Sequence, residues 1–97
     1  MPRPALLTDD EILVWSESHP LWKRDGLMLK RSLQFGDFSE AFAFMTRVAI
    51  MAEKADHHPE WINVYNRVDI AITTHDVGGL TMYDTDFAAG VDAIAPG

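Results

Sequence analysis

The chain has 97 residues, a hydrophobic fraction of 47%, a net charge of −7 and no cysteine. That length suggests one domain over residues 1–97, able to bury roughly 60–70% of the surface its unfolded chain exposes. The charge repels a phosphate backbone and disfavours direct nucleic-acid binding, and the lack of cysteine excludes a disulfide or zinc–cysteine framework.

The start, MPRPALLTDDE, has too short an apolar run for a signal peptide, and no stretch approaches the roughly 18 apolar residues of a membrane span. A cytoplasmic location fits the absence of cysteine. In TDDEILVWSES, Thr8 is followed three residues later by Glu11, a capping-box pattern that starts a helix with Ile12, Leu13 and Trp15 as its apolar surface. Pro20 lies beyond its end. LWKRDGLMLKRSLQF then reads as a hairpin turning at Asp25-Gly26, with Leu27, Leu29, Leu33 and Phe35 on one face. Arg31 interrupts that face and is expected near an edge. Lys23, Arg24, Lys30 and Arg31 read as solvated charges that guard a sheet edge.

GDFSEAFAFMTRVAIMAEKA is the strongest helix pattern, with Asp37 placed to cap it. Phe38, Ala41, Phe42, Met45, Ala49 and Ala52 form one apolar stripe, and Phe44, Val48 and Met51 a second. A helix apolar on two sides covers a sheet with one and meets a partner with the other. Phe44, Val48 or Met51 are expected near a subunit contact. WINVYNRVDIAITTH gives two strands turning at Tyr65-Asn66, with Val68, Ile70 and Ile72 facing one way. The last helix follows Thr81 and buries Leu80, Phe87, Val91 and Ile94. The order α-β-β-α-β-β-α, with both strand pairs as hairpins, predicts an α+β fold: an antiparallel sheet with the helices on one face.

Four histidines are present. His19 sits before a proline in a loop and suggests no role. If the second hairpin turns at Tyr65-Asn66, His75 falls opposite residue 56 or 57, so His57 and His75 should face each other at its open end. Pro59 pushes His58 toward extended backbone, where neighbouring side chains point apart. His57 and His58 should therefore flank a pocket. That divergence, with no His-x-His or Glu-x-x-His pair, argues against a three-histidine zinc site. Acid–base chemistry suits them better, because imidazole gives and takes protons near neutral pH. Glu53 lies one helical turn before His57, and Asp84 in the first turn of the last helix. Plainer roles compete: Asp84 as a helix cap, Glu53 as a solvated charge, Trp61 and Tyr65 as core. The residues alone reach a general acid–base site and name no substrate.

The segment EKADHHPEWINVYNRVDIAITTHDVGGLTMYD, with Glu53, His57-His58-Pro59, Tyr65, His75 and Asp84, resembles the pterin-4a-carbinolamine dehydratase family. FSEAFAFMTRVAIMAEKA is similar to that family's central helix, and the resemblance covers about residues 8 to 95. It implies a four-stranded antiparallel sheet with three helices. It also implies dehydration of 4a-hydroxytetrahydropterin to quinonoid dihydropterin, in tetrahydropterin recycling beside an aromatic amino acid hydroxylase. The implied reaction needs no metal and no cofactor. Histidines at the positions of His57, His58 and His75 line the implied site, with His57 and His75 as acid and base and His58 orienting the substrate. Glu53, Pro59, Trp61, Thr73, Thr74 and Asp84 complete the implied binding set. The family forms homodimers or homotetramers. It also contains a dimerisation cofactor for a homeodomain transcription factor, and a role in molybdenum-cofactor metabolism is a further option.

Overall fold

The computed structural model describes residues 4–96. Residues 1–3, part of the stretch read above for a leader, and Gly97 lie outside that range. Helix α1 (Asp9–Glu17) opens on the expected capping box: the Glu11 N–H donates to Thr8 Oγ1, and the Thr8 N–H donates to Glu11 Oε1. Only Ile12 of this helix is buried, while Leu13 remains exposed. At its end His19 stacks on Trp15, with ring centroids 4.0 Å apart, and its Nδ1–H donates to the Trp15 carbonyl. His19 is thus a packed end to the helix.

Strands β1 (Lys23–Asp25) and β2 (Met28–Gln34) form the first hairpin. Asp25 pairs with Met28, so the two-residue loop is Gly26-Leu27, one position beyond the expected turn. Gly26 takes φ +60°, which suits a glycine in the first loop position. Lys30 beside Asp25 holds that carboxyl below its ordinary range, chiefly through their hydrogen bond. The pair's contribution to stability is present above the ordinary carboxylate pKa and is lost as pH falls through the lowered one; the exposure of both side chains keeps it small.

Helix α2 (Phe38–Ala55) is capped by Asp37, which accepts from the Glu40 N–H. Strands β3 (Glu60–Val64) and β4 (Arg67–Ile72) form the second hairpin, with Val64 opposite Arg67 and the turn at Tyr65-Asn66 as expected. A short 3₁₀ turn (His75–Val77) leads to helix α3 (Met82–Ile94). The four strands form one antiparallel sheet in the order β1-β2-β4-β3. This is the α+β architecture read from the sequence.

The core lies between the sheet's inner face and the helices. Leu29, Leu33, Val68, Ile70 and Ile72 meet Ala41, Phe44, Val48 and Ala52 of α2, and Phe87, Ala88 and Val91 of α3. Burying a Val, Leu, Ile or Phe side chain stabilises by about 1.5–3 kcal/mol each. Two expectations are corrected here. Phe44 and Val48 are core residues, 4% and 0% exposed, and do not face a subunit contact, and Met51 packs partly buried against the core; the large apolar residues that α2 leaves outside are Phe38, Phe42 and Ile50. Arg31 is not at an edge, since β2 is an internal strand. It points inward because α3 supplies Asp92, which pairs with it and also accepts from Trp22 Nε1–H at 2.8 Å.

Candidate active site

Helix α2 ends where Asp56 turns left-handed, at φ 51° and ψ 43°. Its N–H bonds back to the helix, and the next N–H, from His57, reaches the Ala52 carbonyl at 3.1 Å. This is a Schellman-type stop with aspartate where glycine is commoner. The stop fixes the backbone of His57 and turns the chain away from the α2 axis. Nothing in the sequence reading singled out Asp56; an Asp directly after a helical pattern, before His-His-Pro, was the available signal.

His57 then turns toward α3. Its Nε2–H donates to Asp84 Oδ1 at 2.6 Å, with the imidazole 13% exposed and the carboxylate wholly buried. The other oxygen, Oδ2, accepts from Thr74 Oγ1–H at 2.8 Å and from the Thr81 N–H at 2.9 Å. Asp84 is therefore both the helix cap and the partner of an imidazole. Among the described residues no buried side-chain polar atom lacks a partner. The Tyr83 and Phe87 rings flank the imidazole at centroid distances of 5.9 and 6.3 Å.

His58 points the other way. Its Nε2–H donates to Glu53 Oε1 at 2.6 Å, and both side chains are exposed. The divergence of the adjacent histidines follows from this arrangement. His75 opens the 3₁₀ turn, is 77% exposed, and lies 3.6 Å from the Glu60 carboxylate. Each of the three histidines thus stands beside one carboxylate, and only the His57 pair is withdrawn from water.

The expected strand-to-strand opposition of His57 and His75 does not form. The β3–β4 ladder ends at Glu60 opposite Ala71, and β4 itself ends at Ile72. Pro59 has no N–H to extend the ladder, and the His57 N–H is committed to the Ala52 carbonyl at the end of α2, so the pairing stops short of His57. The two regions are joined through Asp84, which binds His57 on one oxygen and Thr74, the neighbour of His75, on the other.

Of the remaining predicted residues, Thr74 joins this network, while Pro59, Trp61 and Thr73 do not line the hollow that lies beside His57, and Trp61 lines a trough on the sheet instead. Pro59 is half-buried just before β3, and Trp61 packs partly buried against the core. Thr73 Oγ1–H donates to the Leu27 carbonyl at 2.5 Å, which ties β4 to the first hairpin loop. The Thr74 N–H donates to the Gly79 carbonyl, and its own carbonyl accepts from the Val77, Gly78 and Gly79 N–H groups. Its main chain is thereby committed to the turn that carries His75.

A hollow of about 230 Å³ lies beside His57 between α2 and α3, lined by Met51, Ala55, His57, Tyr83, Asp86 and Phe87. Tyr83, Asp86 and Phe87 were not read as site residues; their spacing on α3 from Asp84 was the only signal. A larger trough of about 570 Å³ crosses the open face of the sheet, with Lys30, Ser32, Ile62 and Asp69 in its lining. It contains no imidazole, so the hollow beside His57 is the better candidate for acid–base chemistry. Among the described residues no group of three or more His, Asp or Glu side chains is placed to hold a metal ion.

Residues 5–94 match the family model described as pterin 4 alpha carbinolamine dehydratase. A protein of Synechococcus sp. (strain WH7803), provisionally named a pterin-4-alpha-carbinolamine dehydratase, is 53% identical over 90 residues, covering 93% of this chain and 97% of that one. The crystal structure of a transcriptional coactivator/pterin dehydratase from Brucella melitensis superposes with TM-score 0.91 at 41% identity, covering 95% of this chain and 100% of that one. A pterin dehydratase-like protein described as a RuBisCO assembly factor in the alpha-carboxysome matches with TM-score 0.63 at 27% identity, covering 76% and 86% of the two chains.

Proposed function

Because the chain belongs to the pterin 4 alpha carbinolamine dehydratase family, we propose that it removes water from 4a-hydroxytetrahydropterin by histidine acid–base catalysis. The C4a–O bond breaks, the oxygen takes a proton and leaves as water, and N5 loses its proton as the N5=C4a bond forms. The product is quinonoid dihydropterin. Hydroxide leaves poorly, so the step needs a proton donor at the 4a-oxygen and a proton acceptor at N5.

The observation that carries this reading is the His57–Asp84 pair beside the hollow. With Nε2–H committed to a buried carboxylate, the neutral ring keeps its lone pair on Nδ1. A carboxylate that fixes the tautomer and favours the imidazolium is the arrangement a general base requires. His57 and His75 share the acid and base duties, and His58, held by Glu53, orients the hydroxylated carbon. We assign Trp61, Pro59 and Thr73 to substrate binding, and Asp84 acts through His57. The mechanism requires no metal and no cofactor. The physiological setting we favour is cytoplasmic tetrahydropterin recycling, in a homodimer or homotetramer, with a hydroxylase generating the substrate.

The apolar surface of α2 supports a second reading, an interaction protein. Phe38, Phe42 and Ile50 are each about half exposed or more, and the similar Brucella melitensis protein is described as a coactivator as well as a dehydratase. The deciding experiment adds the protein to freshly generated 4a-hydroxytetrahydropterin, with and without chelator, and follows quinonoid dihydropterin. Acceleration over the spontaneous rate that persists in chelator is expected. No acceleration leaves the interaction reading, and activity restored only by added metal overturns the acid–base mechanism.

A further inference from the structure

We propose that Thr74 is a positioning residue for His57, acting through Asp84 and itself oriented by Thr81. The inference rests on the dehydratase reading for its consequence in turnover, but not for its structural content.

Asp84 has no exposed surface, and its Oδ2 faces two groups, Thr74 Oγ1 at 2.8 Å and the Thr81 N–H at 2.9 Å. An ionised carboxylate only accepts, so the single Thr74 O–H must point at Asp84. Thr74 Oγ1 also lies 2.9 Å from Thr81 Oγ1. With the Thr74 proton already committed, the proton shared between the hydroxyls belongs to Thr81. Thr81 Oγ1 in turn accepts from the Tyr83 N–H at 3.1 Å, which leaves its proton free to point at Thr74. Every hydrogen in the cluster is thereby assigned.

Oδ2 is thus occupied by two donors and has no role left as a proton carrier. Oδ1 is left facing His57 Nε2. Imidazole is ordinarily the stronger base of the two, so the proton between them stays on nitrogen. The threonine pair therefore stops the carboxylate from rotating, and the carboxylate holds the imidazole with Nε2–H bonded and Nδ1 bare. A buried network of this kind is strong when complete and costly when one member is missing. The capping box itself needs only Thr81 and Asp84; the Thr74 hydroxyl is a further donor to the carboxylate, and it also accepts from the cap hydroxyl, so loss of the tautomer signal must be read beside the stability of α3.

The test labels histidine with ¹⁵N and observes His57 by NMR in wild type, Thr74→Val, Thr74→Ala and Thr74→Ser. Wild type should show a protonated Nε2, a bare Nδ1 and a slowly exchanging Nε2–H. Thr74→Val and Thr74→Ala should lose or broaden that proton signal, and Thr74→Ser should restore it. Outer-shell partners of metal-bound histidines typically contribute 10–100-fold, so by analogy kcat for dehydration should fall roughly 10–100-fold in the first two variants, with KM within about threefold. Thr74→Ser should recover most of it. A wild-type proton on Nδ1 overturns the proposal before any variant is made. So does a retained Nε2–H in a folded Thr74→Val or Thr74→Ala, unchanged kcat despite its loss, or a defect that serine does not repair. The NMR result holds whether or not the chain dehydrates a pterin, which separates failure of this inference from failure of the dehydratase reading.

Discussion

Asp84, wholly buried in the first turn of α3, lies 2.6 Å from the Nε2 of His57, which follows directly on the left-handed stop of α2. Two helix termini are thus joined by one charge-assisted hydrogen bond. The bond fixes a ring that is itself mostly out of water.

Asp84→Asn tests what that bond does. The amide keeps the size but replaces one acceptor oxygen with a donor. If the amide nitrogen faces His57, the ring must present a lone pair at Nε2 and carry its proton on Nδ1. If it faces inward, it meets the Thr74 hydroxyl and the Thr81 N–H, both donors. A wrong tautomer in a serine-protease triad lowers kcat about 10⁴-fold, and a loss of roughly 10²–10⁴-fold is expected here. Steady-state kinetics should place it in kcat, with KM changed only a few fold. Unchanged kcat in a folded variant would remove Asp84 from the mechanism.

Asp56 supplies a second test, of backbone geometry. A non-glycine residue in the left-handed region costs roughly 1–2 kcal/mol, less for aspartate. Asp56→Gly should keep or slightly raise the melting temperature and leave the His57 resonances in place. Asp56→Val, whose β-branch resists positive φ, should lower stability by about 2 kcal/mol and reduce turnover by misplacing His57. Equal stability of the two variants by thermal melts would contradict this account.

Local signals were legible in the sequence. The Thr8–Glu11 capping box, the Asp37 cap and the Tyr65-Asn66 turn each depend on residues within a few positions, and each is present. The alternation of Val68, Ile70 and Ile72 likewise set the buried face of β4. What failed depended on distant partners. The edge position expected for Arg31 fails because its partner, Asp92, lies 61 residues away on another element. Helix α2 is apolar on more than one side, and the face that meets the core, Ala41, Phe44, Val48 and Ala52, takes two residues from each expected stripe, so periodicity alone did not group them. In the site, register counting back from Tyr65-Asn66 assumed extended chain through residue 57. The ladder instead stops at Glu60, the His57 N–H is tied to the end of α2, and the true link, through Asp84, crosses 27 residues.

The Arg31–Asp92 pair offers a stability test away from the histidines. Arg31 is about a tenth exposed and Asp92 less than a third. Asp92→Ala leaves a nearly buried guanidinium and the Trp22 Nε1–H without their acceptor. Removing one partner of a buried pair costs about 3–5 kcal/mol, and the partial exposure of Asp92 argues for the lower end. Arg31→Met with Asp92→Leu should recover much of that loss in chemical denaturation. A loss below about 1 kcal/mol for Asp92→Ala would show the pair to behave as a surface ion pair.

Assembly is tested on the outer face of α2. Phe38, Phe42 and Ile50 are 49%, 54% and 58% exposed, and the Phe38 and Phe42 rings lie 5.7 Å apart. We expect a dimer or tetramer by sedimentation at tens of micromolar, an order-of-magnitude choice that captures micromolar association. Phe42→Glu should shift it toward monomer with the fold intact. Phe44→Glu, by contrast, places a charge in the core and should prevent folding. A wild-type monomer at that concentration would dispose of the assembly proposal.

The histidines themselves carry the last prediction. His57→Ala and His75→Ala should each lower turnover about 10²–10⁴-fold while changing pterin affinity less. The motivation is the buried carboxylate behind His57 and the connection of His75, through Thr74, to that same carboxylate. Because both act on one substrate, the double variant should lose less than the product of the single losses. His58→Ala should mainly raise KM, since its partner Glu53 is exposed and its tautomer is not fixed by a buried group. His19→Ala should leave both constants unchanged, since that ring only stacks on Trp15 and closes α1. Melts must accompany each variant, because His57→Ala also strips one donor from a buried carboxylate and should cost about 1–3 kcal/mol. Near-normal turnover in folded His57→Ala and His75→Ala would end the acid–base proposal while leaving the family membership untouched.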